Sequence, residues 1–431
     1  MVILGGTLQE ESGLGLGCMS VSGQYSNGVP LDEEAATSFF KGVYEAGCRH
    51  FDTAEVYKSG PLNEPATPDT VFNEVQLSKF FATVPRESFT VATKYMPLLR
   101  SGKCDYESVR AALVGSLERL GLSYVDLYYS HMVLTEEGGV EFAQSVKRLI
   151  EEGLVKNLGL SEVSASWLRN AHAVHPVCCI QQEWSLLTRN IEESLVPACR
   201  ELGIGIVAYS PLARNLLTAP KERPEDTRRA QVPRFSEENF AKNQKMLQQL
   251  EKLAEDKGVS PAQLSLAWLV HKARNLEVSV LPIPGTAKLP HALDNIASMK
   301  VSLAAEDIAL LEEIATQTAG AREGETYMAM RIEGQQAREK SGSDPALSAE
   351  IITKAAESFR QWPKELQAWF TSTLEKENGI KEIMVAMVEH HAKKEDPDPN
   401  RAFPGASEEF KAKVLETLTT SSFEERVRAQ L

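Results

Sequence analysis

The sequence has few cysteines, a deficit of positive charge and no long apolar run. Its six cysteines show neither metal-ligand nor disulfide spacing, so we expect buried, reduced thiols rather than a disulfide scaffold or a metal site. The formal net charge of −14 argues against general binding to nucleic acid or to anionic membranes. No run approaches the length of about 18 apolar residues that would predict a membrane span.

The chain also lacks the signals that direct a protein out of the cytoplasm. The first residues, MVILGGTLQEESG, contain no basic region ahead of an apolar core, so we expect no secretory signal. The last three residues, Ala-Gln-Leu, do not match a peroxisomal signal. We therefore predict a cytoplasmic protein with no membrane, nucleic-acid or metal partner.

What the sequence does contain is a regular alternation of short apolar runs and longer segments of helical period. This alternation predicts a parallel sheet covered by helices, and its eight units favour a (β/α)8 TIM barrel. A doubly wound open sheet is the alternative. The eight predicted strands are Gly15–Met19, Arg49–Asp52, Phe89–Lys94, Val125–His131, Val155–Leu160, Val177–Gln182, Ile204–Ser210 and Val278–Ile283. The predicted helices between them are Leu31–Ala46, Asp69–Phe81, Tyr106–Leu120, Val140–Glu152, Ala165–Val174 and Ile191–Leu202.

Two regions depart from this alternation. Residues 211–240 form a long loop, rich in Pro, Arg and Glu, after the seventh predicted strand. Beyond the barrel, predicted as residues 1–318, the pattern changes to helices joined by polar links, so residues 319–431 are predicted to be an α-helical C-terminal extension. Its apolar stripe from Leu366 to Leu374 is expected to pack on the barrel, on a second copy of the chain or on another protein.

Four polar residues follow successive predicted strands and together suit proton transfer. They are Asp52, Tyr57, Lys94 and His131. Taken singly, each has an ordinary structural explanation, such as a turn cap or a buried histidine. Together, an ammonium favours the phenolate and lowers the phenol pKa, a carboxylate holds the ammonium, and an imidazole polarises a carbonyl oxygen. The glycines at 13, 15 and 17 lack the spacing of a dinucleotide-binding fingerprint, so we reject that assignment.

Seven motifs in order resemble those of the aldo-keto reductase superfamily over residues 10–318. The segment GLGCMSVSGQYS further resembles the branch with bacterial and plant members that prefers aldehydes. The motifs are DTAEVY, VATK, DLYYSH, GLSEVS, QQEWSLL, AYSPLARNLLT and LPIPGTAKLPHALDN. The resemblance implies an NADPH-dependent reductase of a small carbonyl substrate, with Tyr57 as general acid, Lys94 and Asp52 tuning it, and His131 orienting the carbonyl.

The resemblance also implies a set of residues that bind NADPH. In this set Ser161 and Gln182 hydrogen-bond the carboxamide, Trp184 stacks on the nicotinamide, and Thr286 and Lys288 meet the 2′-phosphate. The others are Gly17, Cys18 and Met19 at the first strand, Ser210, Pro211, Leu212 and Arg214 around the pyrophosphate, Gly285 in the last motif, and Asp294 and Asn295 at the adenosine.

The sequence departs from the family pattern at a few positions. Glu162 stands where many members have Asn, Ala213-Arg214-Asn215 replaces Gly-Arg-Gly, and His291 replaces a common Arg or Gln. The segment before the first strand is short for the hairpin that plugs the barrel in relatives. An alternative function is a cofactor-binding regulatory subunit, related to potassium-channel β subunits, that docks a partner through the C-terminal helices.

Overall fold

A computed structural model describes residues 2–10, 13–25, 29–60, 66–100, 102–226, 229 and 232–322. The helices predicted after residue 345 lie outside the described residues. The boundary between the barrel and the extension therefore remains a prediction.

Eight parallel strands form the barrel wall in sequence order. Parallel pairing runs without a break from β3 (Leu16–Gly17) to β10 (Val280–Pro282), and a further parallel bridge joins Gly17 to Gly285. The amide of Gly15 also donates to the carbonyl oxygen of Pro282 at 2.9 Å, so the first and last strands meet. This closure is that of a (β/α)8 barrel and excludes the doubly wound alternative. The strands are β1 Val2–Leu4, β2 Leu8–Glu10, β3 Leu16–Gly17, β4 His50–Asp52, β5 Thr90–Tyr95, β6 Val125–Ser130, β7 Val155–Ser161, β8 Val177–Glu183, β9 Gly205–Tyr209 and β10 Val280–Pro282.

Helices follow the strands, and several of them begin at polar caps. Asp32 accepts from the amide of Ala35 at 2.8 Å, as predicted for the first helix. Thr135 accepts from the amide of Gly138 and caps α4 (Glu136–Glu151), which starts four residues before the predicted position because two glycines hide the helical pattern there. The helices are α1 Glu33–Glu45, α2 Asn73–Phe81, α3 Tyr106–Leu120, α4 Glu136–Glu151, α5 Ala165–Val174, α6 Leu195–Leu202, α7 Glu237–Asp256, α8 Pro261–Asn275, α9 Leu289–Ala297 and α10 Ala305–Ala315.

The bottom of the barrel is closed by an N-terminal hairpin that the sequence analysis did not expect. Strands β1 and β2 pair antiparallel, and Leu4 is fully buried against the floor of the barrel. A Cβ at Gly205 would lie 2.5 Å from Leu4 Cδ2, so the hairpin fits only because β9 begins with glycine. The plug is built from two strands of three residues each, so the short segment before β3 is long enough to form it.

The top of the barrel carries the long connection after β9. Its last residues join α7, which begins at Glu237 under a Ser236 cap, so the predicted loop ends slightly earlier than expected. After α10 the chain returns to this connection, where Ala319, Gly320 and Arg322 form hydrogen bonds with Asn243, Arg234 and Glu183. No helix in the described part of the chain is long and apolar enough to cross a membrane.

Candidate active site

Lys94 is the centre of a buried polar group at the C-terminal ends of β4 and β5. Its ammonium forms an ion pair with Asp52, donates to the carbonyl oxygen of Thr53 at 2.7 Å and lies 3.5 Å from the phenolic oxygen of Tyr57. Burial lowers the pKa of Lys94, but Asp52 and Tyr57 raise it by more, so that pKa lies above its ordinary value. The lysine is therefore charged at neutral pH although it is fully buried.

The turn after β4 presents Tyr57 to the same face of the barrel. The amide of Tyr57 donates to the carbonyl oxygen of Ala54 at 3.0 Å, and the Thr53 hydroxyl donates to Asn73 at 2.6 Å, which fixes the turn against α2. The rings of Tyr57 and His131 meet edge to face with centroids 5.6 Å apart. The structure thus brings together the acid, phenol, amine and imidazole that the sequence placed on three separate strands.

A cleft of about 570 Å³ opens above this group. Asp52, Tyr57 and His131 line its floor, while Lys94 lies buried beneath them. The volume is in the range of small-molecule and cofactor sites. Ten of the predicted cofactor residues line the cleft: Gly17, Met19, Ser161, Ser210, Pro211, Leu212, Arg214, Gly285, Thr286 and Lys288.

The loop after β9 follows one wall of the cleft in an unusual backbone conformation. Ser210, Ala213, Arg214 and Asn215 all have positive φ, between 45° and 75°. Such values are sparsely populated by residues other than glycine, and they concentrate at ligand sites. Ala213 and Asn215, which stand where the family pattern has glycine, therefore adopt this backbone at the cost of local strain.

The structure does not place Gln182 in the cleft, and its neighbour Gln181 lies there instead. Gln182 is fully buried and donates to the carbonyl oxygen of Val163 at 3.2 Å. Gln181 lines the cleft and donates to Asp52 at 2.7 Å. Successive residues of a strand face opposite sides of the sheet, so only one of the pair can face the barrel interior. Because the QQEWSLL motif begins with two adjacent glutamines, the sequence alone did not show which of them faces the interior.

Trp184 also lies away from the cleft. Its side chain is fully buried, and its indole Nε1 donates to Glu192 at 3.1 Å. Tyr209, at the end of β9, lines the cleft in its place. Tyr209 was not predicted from the sequence, although an aromatic residue directly before Ser210 at a strand end was the available signal.

Three other predicted cofactor residues do not line the cleft. Cys18 is fully buried, and its thiol donates to the carbonyl oxygen of Leu16 at 3.5 Å.

The other two are on α9. The Asp294 carboxylate accepts from Ser260 at 2.6 Å and from Gln263 at 2.8 Å, which ties α9 to the start of α8. Asn295 is buried in α9. His291, on the exposed side of that helix, lines the cleft.

Comparisons with known proteins agree with this architecture. The model of the aldo/keto reductase family matches residues 13–316. The probable aldo-keto reductase 1 of Glycine max is 39% identical over 309 residues, which are 69% of this chain and 84% of the relative.

Solved structures give the same result for the fold. The thermostable aldo-keto reductase Tm1743, in complex with the inhibitor epalrestat, is 26% identical with a TM-score of 0.57 and covers 73% of this chain and 100% of its own. The glycerol dehydrogenase AKR11B4 from Gluconobacter oxydans is 22% identical with a TM-score of 0.60, covering 74% of this chain and 92% of its own. An aldo-keto reductase from Klebsiella pneumoniae in complex with NADPH is 20% identical with a TM-score of 0.53, covering 72% of this chain and 93% of its own. The barrel, the matched family model and the plant relative together establish that this chain belongs to the aldo/keto reductase family.

Proposed function

We propose that the protein is an NADPH-dependent oxidoreductase that reduces an aldehyde or ketone to an alcohol. The observation that carries the proposal is the fully buried Lys94, paired with Asp52 and 3.5 Å from the phenolic oxygen of Tyr57 at the floor of the cleft. A phenol beside an ammonium is a stronger acid than a free phenol, which suits donation of a proton to a carbonyl oxygen at neutral pH.

The chemistry of the cleft fits NADPH along its length. Ser161 and Gln181 offer hydrogen-bonding groups near the catalytic floor, where a carboxamide would bind. Arg214 and Lys288, which also line the cleft, offer positive charge suited to the pyrophosphate and the 2′-phosphate. The bound NADPH seen in the Klebsiella pneumoniae relative supports the same choice of cofactor.

NADPH bound in the cleft would supply a hydride to the carbonyl carbon. Tyr57 donates its phenolic proton to the carbonyl oxygen, and Lys94 stabilises the phenolate that remains. Asp52 keeps the ammonium charged and in place, and His131 orients the carbonyl beside Tyr57. The phenolate then regains a proton from solvent through the open cleft.

The apolar residues that line the cleft favour a small or apolar carbonyl substrate, in line with the aldehyde-preferring branch that the sequence resembles. They include Met19, Val56, Met96, Leu98 and Met132. Methionine side chains adapt to ligands of different shapes, so a range of apolar aldehydes would fit.

The regulatory-subunit alternative has less support. It rested on the C-terminal extension, of which the structure describes residues 319–322 alone. A protein that only binds the cofactor would not require all four groups of the catalytic floor, and here they are grouped together. A homo-oligomer, or a partner bound through the extension, remains a separate prediction.

We also infer a cytoplasmic location from the cysteines. All six are buried thiols, as expected in a reducing compartment. Cell fractionation followed by immunoblotting would test this, and a protein recovered in a secreted fraction would contradict it.

The proposed activity is tested by following NADPH oxidation with a panel of aliphatic and aromatic aldehydes and ketones, with NADH in parallel. We expect turnover with apolar aldehydes and a preference for NADPH that is lost in Lys288→Ala. Binding of NADPH without turnover of any carbonyl would favour the regulatory alternative instead.

A further inference from the structure

The chain segment after the last barrel helix is fastened to the top of the barrel beside the cofactor cleft. Asn243 of α7 binds Ala319 through both backbone groups, donating to its carbonyl oxygen at 3.1 Å and accepting from its amide at 2.7 Å. The Arg234 guanidinium donates to the carbonyl oxygen of Gly320 at 3.2 Å. Gly320 has φ +87°, and a Cβ there would lie 2.9 Å from the Arg234 amide nitrogen. These contacts fix the backbone that leads into Ala321 and Arg322.

This anchored segment delivers Arg322 into a buried cluster at the ends of β7, β8 and β9. The Arg322 guanidinium donates to Glu183 at 2.9 Å, lies 3.5 Å from Glu162 and donates to the Tyr209 hydroxyl at 3.2 Å. Tyr209 in turn donates to Glu162 at 2.6 Å. Both carboxylates and the guanidinium are at least 95% buried. Buried charges of this kind are stable only while they are paired.

The cluster borders the catalytic end of the cleft. Glu162 directly follows Ser161, which lines the cleft, and the Tyr209 ring lines it as well. The backbone at Glu162 has φ 53°, a conformation that needs support from its surroundings. The position of the Tyr209 ring and of the strand end at Ser161 therefore depends on the two carboxylates and on the cation between them.

We propose that Arg322 is a positioning residue for the nicotinamide end of the cofactor, acting through Glu162 and Tyr209. This inference rests on the proposed use of NADPH. It gives the first residues beyond the barrel helices a role in the site, although the family model ends at residue 316. It also explains how an acidic residue is accommodated at position 162, because the carboxylate is turned toward Arg322 and Tyr209 and does not line the cleft.

The test compares Arg322→Met and Arg322→Lys with Arg119→Met in the full-length protein. Arg119 is a matched control, because it pairs with the buried Glu74 at 2.7 Å and does not line the cleft. Dissociation constants are measured by fluorescence titration for NADPH and for adenosine 2′,5′-bisphosphate, which carries the adenosine end of the cofactor and no nicotinamide.

We expect Arg322→Met to raise the Kd for NADPH by about tenfold or more, and the Kd for the bisphosphate by less than about twofold. Arg322→Lys keeps the charge but not the two-armed guanidinium, so its Kd for NADPH is expected to lie between those of the wild type and Arg322→Met. Arg119→Met should change neither constant. If Arg322→Met does not fold, the same comparison is made with Arg322→Lys.

Equal weakening of both ligands in the Arg322 variants would indicate general destabilisation and overturn the inference, as would an unchanged Kd for NADPH. These outcomes leave the proposed reductase function intact. A wild-type protein that binds NADPH without reducing any carbonyl would contradict that function but not the role of Arg322. A wild-type protein that does not bind NADPH would contradict both.

Discussion

Lys94 and Tyr57 lie with the ammonium nitrogen 3.5 Å from the phenolic oxygen, and the same ammonium is paired with Asp52 inside the barrel. One buried cation thus serves two purposes. It compensates a carboxylate that would otherwise be buried alone, and it stabilises the phenolate form of the residue that would donate a proton. Stability and proposed catalysis depend on the same atom.

Removing this cation is expected to destabilise the fold. In Lys94→Met the Asp52 carboxylate stays buried without its ammonium, so the free energy of unfolding should fall by about 3–5 kcal/mol. Lys156→Met is the control, because Lys156 pairs with Asp126 at 3.1 Å but its side chain is 54% exposed; we expect a loss below about 1 kcal/mol there. Urea unfolding measures the loss of unfolding free energy in both variants, and equal losses would contradict this role of Lys94.

The pH dependence of stability follows from the raised pKa of Lys94. Folding raises this pKa above the ordinary value of 10.5, so the stabilisation is complete below that pH and is lost as the pH rises through the folded-state pKa. The difference in unfolding free energy between wild type and Lys94→Met should be constant from about pH 6 to about pH 10 and then shrink. A difference that already shrinks near neutral pH would show that the lysine is not held charged.

The two adjacent glutamines should behave differently. Gln181 lines the cleft, so Gln181→Ala removes hydrogen-bonding capacity from the proposed carboxamide site and should raise the Kd for NADPH about three- to tenfold. Gln182 lies on the other face of β8, so Gln182→Ala should lower thermal stability and leave the Kd unchanged. Fluorescence titration and thermal unfolding of both variants decide this, and the reverse pattern would restore the original sequence assignment.

A similar contrast separates Tyr209 from Trp184. Tyr209→Leu removes an aromatic ring from the cleft wall and should weaken NADPH binding by about 0.5–1.5 kcal/mol. Trp184→Phe alters a fully buried side chain and its hydrogen bond to Glu192, so it should lower stability without a change in cofactor affinity. Parallel titration with NADPH checks this; if Trp184→Phe binds the cofactor more weakly than Tyr209→Leu, the assignment of the aromatic wall is wrong.

The sequence predicted the barrel well because its signals are local. Apolar runs, caps such as Asp32 and glycines after helices each depend on a few neighbouring residues, and strand ends gather at one face in any parallel barrel. The grouping of Asp52, Tyr57 and Lys94 could therefore be anticipated from the strand ends alone.

The remaining features depend on information that a local pattern does not contain. Which side of β8 faces inward determines whether Gln181 or Gln182 lines the cleft, and a register error of one residue exchanges the two. The contact of Arg322 with Glu162 joins residues 160 positions apart through a segment without periodicity. The hairpin plug depends on the space above Gly205, which becomes visible only when the barrel is closed.

The central claim is that Tyr57 donates the proton in carbonyl reduction. It is tested most directly by NADPH oxidation with an aldehyde, followed through the cofactor's near-UV absorbance in wild type and Tyr57→Phe, with the Kd for NADPH measured alongside. We predict that kcat falls by about 10²- to 10⁴-fold in Tyr57→Phe while the Kd for NADPH is unchanged. A Tyr57→Phe protein that reduces aldehydes at the wild-type rate would contradict the account.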